Sequence, residues 1–451
     1  MTLPAVGEFC ESDMLPGSET PDRAFEFCRA PQSFLTKLAL AEGPVAKLRI
    51  GAESFAVLSS PELIHAVLTG SADKFEKGPL YDLARTAFGD GLFTADGHDW
   101  ADQKKDLTPL FSRSRVRDLA NIANEFIDRL IEGWDNLPDG DTIDMLAATK
   151  RLAFDVVRTG LLGISNPTLA DELFYALNAI ANVESVRLFY LAKRVPGMAG
   201  PFRRTPLFDR LDDVVYLIVD EELERAAGTE DLIGATIRSS KFGEFTRERQ
   251  RSFLRDQIVS MLTAGFVSTG ESMFWALFLL AHHPEVQERA RAEIRSNGEV
   301  AHEQDSRPPT YLTAVLNESL RLYPPAWFIG RVARQDMRLG AVEISAGTRL
   351  ICSPYILHRM PSVWSDPEAF RPERFLPGAS VAPRAFIPFS VGSRACIGRS
   401  IAMMEMSALI GTMLSRFDIR IDSSEPVELA AALTMHQIGR ASCRERVSSP
   451  V

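Results

Sequence analysis

Apolar and polar positions along most of the chain repeat with the period of an α-helix. In residues 117–134 and 212–227, apolar side chains recur every three or four positions, which predicts amphipathic helices. Residues 256–281 are apolar nearly all round, a pattern typical of a long helix buried in the core. Pro284 follows them, and proline is a common helix terminator. We therefore predict that residues 61–325 are mostly helical.

Two other parts of the chain have a different pattern. Residues 45–60 read as two strands joined at Gly51, which predicts a hairpin. Residues 326–395 contain many Pro and Gly residues, so we expect ordered coil, with short strands near 326–350. Helical periodicity returns at about 399–416. The predicted fold class is mainly α, with one large helical domain and a smaller β-rich part.

The two ends of the chain look unlike the rest. Residues 1–30 are rich in Pro and Gly and acidic, which predicts an extended leader without the features of a secretory signal. Residues 438–447 resemble the translation of a common sequencing adapter, so we predict that 438–451 are not native; the alternative is a genuine basic tail. The predicted domain is 31–437.

The composition excludes several classes of protein. Of 451 residues, 45% are hydrophobic and 24% are charged, which is typical of a globular protein. The longest apolar run, 273–281, is shorter than the roughly 20 residues that cross a bilayer, so we predict no membrane span. A net charge of -10 argues against binding to nucleic acid. Five scattered cysteines without a C-x-x-C pair argue against disulfides and zinc, and favour the cytoplasm.

Candidate chemistry centres on a cysteine in the segment FSVGSRACIG at 389–398. Gly392 and Gly398 allow the backbone to approach a large flat group, and Arg394 offers two donors to a carboxylate. The N–H groups at the start of the following helix would stabilise a thiolate at Cys396, and a thiolate suits iron. The alternative is a buried structural cysteine, which is the commoner state of a lone Cys.

This segment resembles the haem-binding loop of the cytochrome P-450 family, F-x-x-G-x-R-x-C-x-G, beginning at Phe389. The resemblance implies the P-450 fold and a haem b held by the thiolate of Cys396. It also implies a haem-thiolate monooxygenase that inserts one oxygen atom from O₂ into a hydrophobic small molecule. In this family the thiolate pushes electron density toward the iron, which favours O–O cleavage.

Other segments resemble the same family in the same order. Glu318 and Arg321 form an E-x-x-R pair on one helix face, and together with Arg374 they resemble the charged triad that locks the coil behind the haem. Trp100 with Lys104 resembles the W-x-x-x-R pair above a haem propionate. Lys replaces the usual Arg, so a bidentate clamp becomes a point charge.

The propionates and the substrate would meet further residues by the same resemblance. Arg331 matches the second propionate-binding position. Ala326, Trp327 and Phe328 are expected near the distal side of the haem, where apolar side chains suit a hydrophobic substrate; the alternative is core packing. Residues 77–93 resemble the variable substrate loop and are expected to be mobile.

In that family, the helix over the haem has the pattern A-G-x-(D/E)-T-T, which residues 264–269 resemble. Here Ala264 and Gly265 leave room for oxygen and substrate, and the hydroxyls of Ser268 and Thr269 follow them. We expect Ser268 to help protonate bound oxygen. Val267 stands where the family has an acid, and valine carries no proton.

Val267 leaves two interpretations open. In one, water or substrate hydroxyls deliver protons instead, and the monooxygenase reaction is unchanged. In the other, the chemistry is altered: a peroxide-driven or non-monooxygenase haem-thiolate protein that performs rearrangement, coupling or binding. Glu271, one helical turn beyond Val267, is a candidate substitute acid.

The chain carries no recognisable flavin or nicotinamide motif, so electrons are expected from a separate protein. By resemblance to the soluble bacterial type, this is a ferredoxin or flavodoxin with its reductase, and the enzyme is expected to be a monomer. A local basic patch could attract the electron carrier although the net charge of the protein is negative. Its candidate residues are Lys104, Lys105, Arg113 and Arg399.

Overall fold

A computed structural model describes most of the chain between residues 30 and 448. The described residues are 27, 30–50, 53–70, 74–135, 138, 143–181, 206–225, 229–239, 241–297, 310–379, 381–421, 428–431, 434–438 and 444–448. The predicted leader 1–30 lies outside the described residues except at positions 27 and 30.

Helices make up most of the described chain. In chain order they are α1 (Pro31–Glu42), α2 (Pro61–Thr69), α3 (Pro79–Phe88), α4 (Gly97–Leu107), α5 (Arg113–Asp135), α6 (Met145–Val156), α7 (Pro167–Ala181), α8 (Pro206–Arg225), α9 (Leu232–Ile237), α10 (Arg247–His282), α11 (Pro284–Asn297), α12 (Tyr311–Leu322), α13 (Pro354–Leu357) and α14 (Arg399–Arg416). Short 3₁₀ turns occur at Thr108–Phe111, Phe242–Glu244 and Pro372–Phe375, and a π turn at Val157–Leu161 continues α6.

The strands form four small sheets. In chain order they are β1 (Val45–Ile50), β2 (Glu53–Leu58), β3 (Phe75–Glu76), β4 (Ile143–Asp144), β5 (Ile329–Ala333), β6 (Met337–Leu339), β7 (Val342–Ile344), β8 (Arg349–Cys352), β9 (Asp418–Ile421), β10 (Glu428–Ala431), β11 (Met435–Ile438) and β12 (Arg444–Ser448). The largest has the order β1-β2-β8-β5-β3, in which β2 and β8 are parallel and the other neighbours antiparallel.

The predicted mainly helical fold with a smaller β-rich part is confirmed. The hairpin at 45–60 is β1 and β2, paired from Val45–Leu58 to Ile50–Glu53. The predicted helix at 399–416 coincides with α14. Helix α10 extends well beyond the predicted 256–281, because Thr246 caps its first turn by accepting a hydrogen bond from the Arg249 N–H at 3.3 Å.

The long helix α10 is the centre of the core. It packs against α6, α8, α12 and α14, and the rings of Phe154 and Phe266 meet edge to face at 5.7 Å between centroids. Within the described residues, α10 is also the one helix whose length and hydropathy would allow it to cross a bilayer. Of that apolar window, 72% is buried inside the protein, as expected for a core helix.

Strand β12 closes the described chain. It pairs with β9 and with β4, so residues 444–448 belong to a three-stranded sheet. The predicted domain limits, and the suggestion that 438–451 are not native, stay predictions.

Candidate functional site

The loop before α14 presents Cys396 to an internal cavity. The Cys396 N–H donates to the Phe389 carbonyl at 2.9 Å, and the Ala395 N–H donates to the Gly392 carbonyl at 3.1 Å. Gly392 has φ 80°, and a Cβ there would lie 2.5 Å from the Leu68 carbonyl oxygen at the end of α2. Only glycine therefore allows this loop to pass so close to α2.

The surroundings of the Cys396 sulfur act in opposite directions on its charge. The residue is accessible to solvent, and it lines the cavity. Burial by the surrounding protein raises the pKa of the thiol, whereas the N–H groups of Gly398 and Arg399, which donate to the sulfur, lower it. A cation that binds the sulfur would add to these donors and favour the thiolate.

The cavity lies between the Cys396 loop and α10. Its volume is about 450 Å³, and its lining is mostly apolar. Aromatic and aliphatic side chains from several helices form the wall, among them Phe88, Phe93, Val156, Leu161, Ile180, Phe208 and Met261. Such a space suits a large hydrophobic ligand.

The predicted oxygen-side residues of α10 all lie on the cavity wall. They are Ala264, Gly265, Ser268 and Thr269. The Ser268 hydroxyl donates to the Ala264 carbonyl at 2.6 Å. Gly265 also has a packing role, because a Cβ there would lie 2.9 Å from a methyl carbon of Val157.

The structure contradicts the suggestion that Glu271 supplies the missing acid. The cavity-lining residues in the described part of the chain do not include Glu271. Its carboxylate forms an ion pair with the Lys150 ammonium of α6 at 3.3 Å, and both side chains are buried. Val267 is buried in the main hydrophobic core. Glu271 is therefore part of the contact between α6 and α10.

One end of the cavity is cationic. The predicted propionate contacts Trp100, Lys104 and Arg331 line this end together with Arg394. The Lys104 ammonium and the Arg394 guanidinium lie 5.2 Å and 5.3 Å from the Trp100 ring centroid. Arg394 also forms an ion pair with Asp96.

Lys77 belongs to this cationic end and was missed from the sequence. Its ammonium donates to the Phe93 carbonyl at 2.7 Å, and its backbone N–H donates to Asp96 at 2.9 Å. Burial and the nearby Arg394 lower the pKa of Lys77 to about 7. A lone lysine in a predicted mobile loop carries no sequence signal for such a position.

The residues at the cavity fit the haem that the sequence resemblance implies. Four cationic side chains at one end, namely Lys77, Lys104, Arg331 and Arg394, face a space where two carboxylates could bind. One guanidinium nitrogen of Arg394, Nη1, is buried without a hydrogen-bond partner. Cys396 lines the same space as a soft ligand for iron, and the wall is apolar enough for a porphyrin.

The three residues of the predicted charged triad lie together beneath the site. Arg321 donates from Nε to Glu318 Oε2 at 2.7 Å and from Nη2 to Glu318 Oε1 at 2.8 Å. Arg374 Nε donates to Glu318 Oε1 at 3.2 Å. Arg321 Nη1 also donates to the His358 carbonyl at 2.8 Å and to the Pro367 carbonyl at 2.7 Å. The coil therefore closes around two fully buried side chains.

His358 links the triad to the Cys396 loop, and nothing in the sequence indicated it. Its Nε2 accepts a hydrogen bond from the Ile387 N–H at 3.0 Å, so its Nδ1–H donates to the Arg321 carbonyl at 3.2 Å. Burial, with the charge of Arg321, lowers the pKa of His358 to about 3. A neutral imidazole therefore fixes the approach to the loop.

The predicted substrate contacts divide into two groups. Ala326 and Phe328 line the cavity. Trp327 instead belongs to a second hydrophobic cluster, with Leu35 and Phe55, an arrangement that favours the core-packing alternative for this residue. Phe328 also packs against this cluster, so it lies between the cluster and the cavity.

The stretch 77–93 is more ordered than its sequence suggested, since it contains helix α3. Lys77, Tyr81, Phe88 and Phe93 line the cavity. The Asp90 N–H donates to Asp256 of α10 at 2.8 Å, which ties this segment to the core.

Comparisons with known proteins identify the family of this chain. The family model described as "Cytochrome P450" matches residues 24–440. The chain is 28% identical to "Pentalenene oxygenase" of Streptomyces avermitilis over 437 residues, covering 95% of each chain. It is 30% identical to "Cyclooctat-9-en-7-ol 5-monooxygenase" of Streptomyces melanosporofaciens over 407 residues, 87% of this chain and 86% of the relative. It is 27% identical to the chloroplastic "Carotene epsilon-monooxygenase" of Arabidopsis thaliana, over 87% of this chain and 78% of the relative.

Proposed function

Because the chain belongs to the cytochrome P450 family, and is thus a monooxygenase whose haem b is held by a cysteine thiolate, we propose that Cys396 is that cysteine. The predicted family, enzyme class and cofactor are confirmed. Support for Cys396 comes from its place on the wall of the apolar cavity, opposite the hydroxyls of α10. Trp100, Lys104, Arg331 and Arg394 would hold the propionates, and Phe389, Gly392 and Gly398 would shape the loop beneath the ring.

The residues of α10 at the cavity would have separate roles in the reaction. When bound, the haem activates O₂ with electrons from a redox partner, and the thiolate favours O–O cleavage. Ala264 leaves space, and the Ser268 and Thr269 hydroxyls face that space as donors and acceptors. We assign Ser268 to hold and pass a proton at Oγ, since it is a hydroxyl one turn beyond Ala264.

We propose that the substrate is a ring-containing isoprenoid, largely hydrocarbon in character. Enzymes of this family bind hydrophobic substrates, and the cavity lining here is mostly apolar. Three relatives are named for pentalenene, cyclooctat-9-en-7-ol and carotene. Ala326 and Phe328 are the proposed contacts beside the haem.

The electron donor that we propose is a ferredoxin or flavodoxin with its reductase, acting on a cytoplasmic monomer. Lys105, Arg113 and Arg399 are exposed, and Arg399 directly follows the Cys396 loop; together they would attract an acidic carrier. Lys104 does not belong to this outer patch, because its ammonium donates to the Ser393 carbonyl and lines the cavity.

One observation favours a second candidate function. Val267 is buried in the core and offers no acid above the haem, so a peroxide-driven reaction, rearrangement or coupling would suffer less from its presence. In a peroxide-driven reaction the oxidant brings its own protons and electrons.

The haem assignment is tested by the spectrum of the reduced, carbonyl-bound protein. We expect the long-wavelength band of a thiolate-ligated haem, and we expect Cys396→Ser to lose it. Cys352→Ser is the matched control, because Cys352 is buried in a separate hydrophobic cluster. An unchanged spectrum in Cys396→Ser would overturn the assignment.

Turnover separates the two candidate functions. Isoprenoids that give a spin-state shift are incubated either with ferredoxin, reductase and NAD(P)H or with peroxide alone. We expect product in the first mixture. Product in the second alone would favour the peroxide-driven enzyme.

A further inference from the structure

A buried glutamate of α14 also faces the cavity. Glu405 lies nine residues beyond Cys396 and is 1% exposed. Among the cavity-lining residues in the described part of the chain, it is the one carboxylic side chain. Ile401 and Ala402, one turn earlier on the same helix, line the cavity as well.

Glu405 has no hydrogen-bond partner among the residues that the structure describes. Both carboxyl oxygens, Oε1 and Oε2, are buried and unpaired. Burial raises the pKa of Glu405 well above its usual value. The raised pKa favours the protonated form, and a protonated carboxyl group can donate its proton.

A row of hydroxyls on α10 faces the same cavity. Ser268 and Ser272 are four residues apart, so they lie one turn apart on one helix face. Thr269 lines the cavity beside them. The Ser272 hydroxyl donates to the Ser268 carbonyl at 2.8 Å, and the Ser268 hydroxyl donates to Ala264. Helix α14 packs against α10, and Glu405 lines the same cavity as this row.

The other buried acidic groups near α10 are engaged elsewhere. Glu271 is paired with Lys150, and Asp256 accepts hydrogen bonds from Arg255 and from the Asp90 N–H. Neither lines the cavity in the described residues. A buried carboxyl group without partners is costly to the fold, so its retention beside the hydroxyls calls for a role.

We propose that Glu405 supplies protons to the reaction through cavity water and the hydroxyls of Ser272 and Ser268, replacing the acid that Val267 cannot provide. This inference rests on the proposed function of the site. Glu405, Ser268 and Ser272 all line the cavity, and their polar atoms would hold a bridging water beside the haem.

The proton balance of the proposal is simple. Insertion of one oxygen atom from O₂ releases the other as water, which consumes two electrons from the redox partner and two protons. A proton leaves the Glu405 carboxyl oxygen, and each hydroxyl accepts one proton as it gives one up. Bulk water then reprotonates the Glu405 carboxylate.

Infrared difference spectroscopy tests the first half of the proposal. The wild-type protein at neutral pH is expected to show the carbonyl stretch of a protonated carboxylic acid, shifted in D₂O. Glu405→Gln should lose this band, and Glu405→Asp should keep a displaced one. If the wild type lacks the band, or if Glu405→Gln retains it, the proposal fails.

Coupling of electrons to product tests the second half. The probe is the isoprenoid that gives the largest spin-state shift, with ferredoxin, reductase and NAD(P)H. In Glu405→Gln we expect product formation to fall about 10²-fold, the lower end of what a positioned acid contributes, while peroxide release rises. Ser272→Ala should cause the same leakage of peroxide while the infrared band remains.

Wild-type coupling in Glu405→Gln would overturn the proposal. If Glu405 had only a structural role, the ratio of peroxide to product would be unchanged in Ser272→Ala. The product yield lost in Glu405→Gln would then also not be restored by Glu405→Asp. If no isoprenoid is oxidised by the wild type, the proposed substrate is wrong, whereas the infrared band still decides whether Glu405 carries the proton.

Discussion

Two buried glutamates in this protein stand in opposite surroundings. Glu318, beneath the Cys396 loop, is fully buried and accepts hydrogen bonds from Arg321, Arg374 and the Arg371 N–H. Glu405, beside the cavity, is almost as buried, yet neither of its carboxyl oxygens has a hydrogen-bond partner in the described part of the chain. The first environment stabilises a charge, and the second excludes one.

This difference indicates a structural role for Glu318 and a chemical role for Glu405. Fully paired buried charges hold a structure in one arrangement, since breaking any pair leaves an uncompensated charge. An unpaired buried acid does nothing for the fold, but its proton is available to the space it faces. Stability measurements on the two glutamates should therefore change in opposite directions.

The largest effect is expected for Glu318→Gln. The substitution leaves the Arg321 guanidinium buried without its carboxylate, so the free energy of unfolding should fall by about 3–5 kcal/mol. Urea unfolding of the haem-loaded protein, followed by circular dichroism, measures this change.

The matched control for Glu318→Gln is Glu125→Gln. Glu125 also pairs with an arginine, Arg129 at 3.3 Å, but both side chains are mostly exposed. Its loss should change the free energy of unfolding by at most about 0.5 kcal/mol. Equal effects of the two substitutions would show that burial does not distinguish the two pairs.

The second effect has the opposite sign. Glu405→Met should stabilise the protein at pH 7, by about 1–3 kcal/mol. The unfolded carboxyl group loses its proton above its ordinary pKa, whereas the folded group keeps it because its pKa is raised. Rising pH therefore stabilises the unfolded state, and methionine removes this penalty while filling a similar volume.

The pH dependence makes the Glu405 prediction specific. The advantage of Glu405→Met over the wild type should grow as pH rises from 4.5 toward the raised pKa of the folded state, by about 1.4 kcal/mol for each pH unit. A constant difference from pH 4.5 to 7 would mean that Glu405 is ionised in the folded protein, and would count against it as a proton source.

The contrast also explains what could be predicted from the sequence. Helical periodicity located α14, and a long stretch that is apolar nearly all round located α10, since both patterns are local in the chain. The loop at 389–398 and the E-x-x-R pair at Glu318 were found because their residues are close in the chain. The site residues that were found belong to such local patterns.

The residues that were missed depend on contacts between distant segments. Glu405 sits among apolar residues of α14, and only the packing of α14 on α10 places it at the cavity. Lys77 joins the cationic end through Asp96 and Phe93. Trp327 and Glu271 were assigned to the site from neighbouring positions, but orientation within a segment decides which side chain faces the cavity.

His358 is a third case, in which full hydrogen bonding and the exclusion of charge occur together. Both ring nitrogens are paired, with Ile387 and Arg321, but burial and the charges of Arg321 and Arg359 oppose a proton on the ring. The unfolded imidazole binds a proton below pH 6.5, whereas the folded one does so only near its pKa of about 3.

The smallest expected effect therefore appears on acidification. As pH falls from 6.5, His358 should lower the free energy of unfolding by about 1.4 kcal/mol for each pH unit, because the unfolded state binds the extra proton. Asn does not titrate, so in His358→Asn the slope of stability against pH should be smaller by about 1 kcal/mol per pH unit between 6.5 and 5.5, and by nearly the full amount just below that range. Carboxyl groups titrate alike in both proteins and cancel in the comparison. Identical slopes would show that His358 is protonated in the folded state, and that the link from α12 to the Cys396 loop tolerates a charged imidazole.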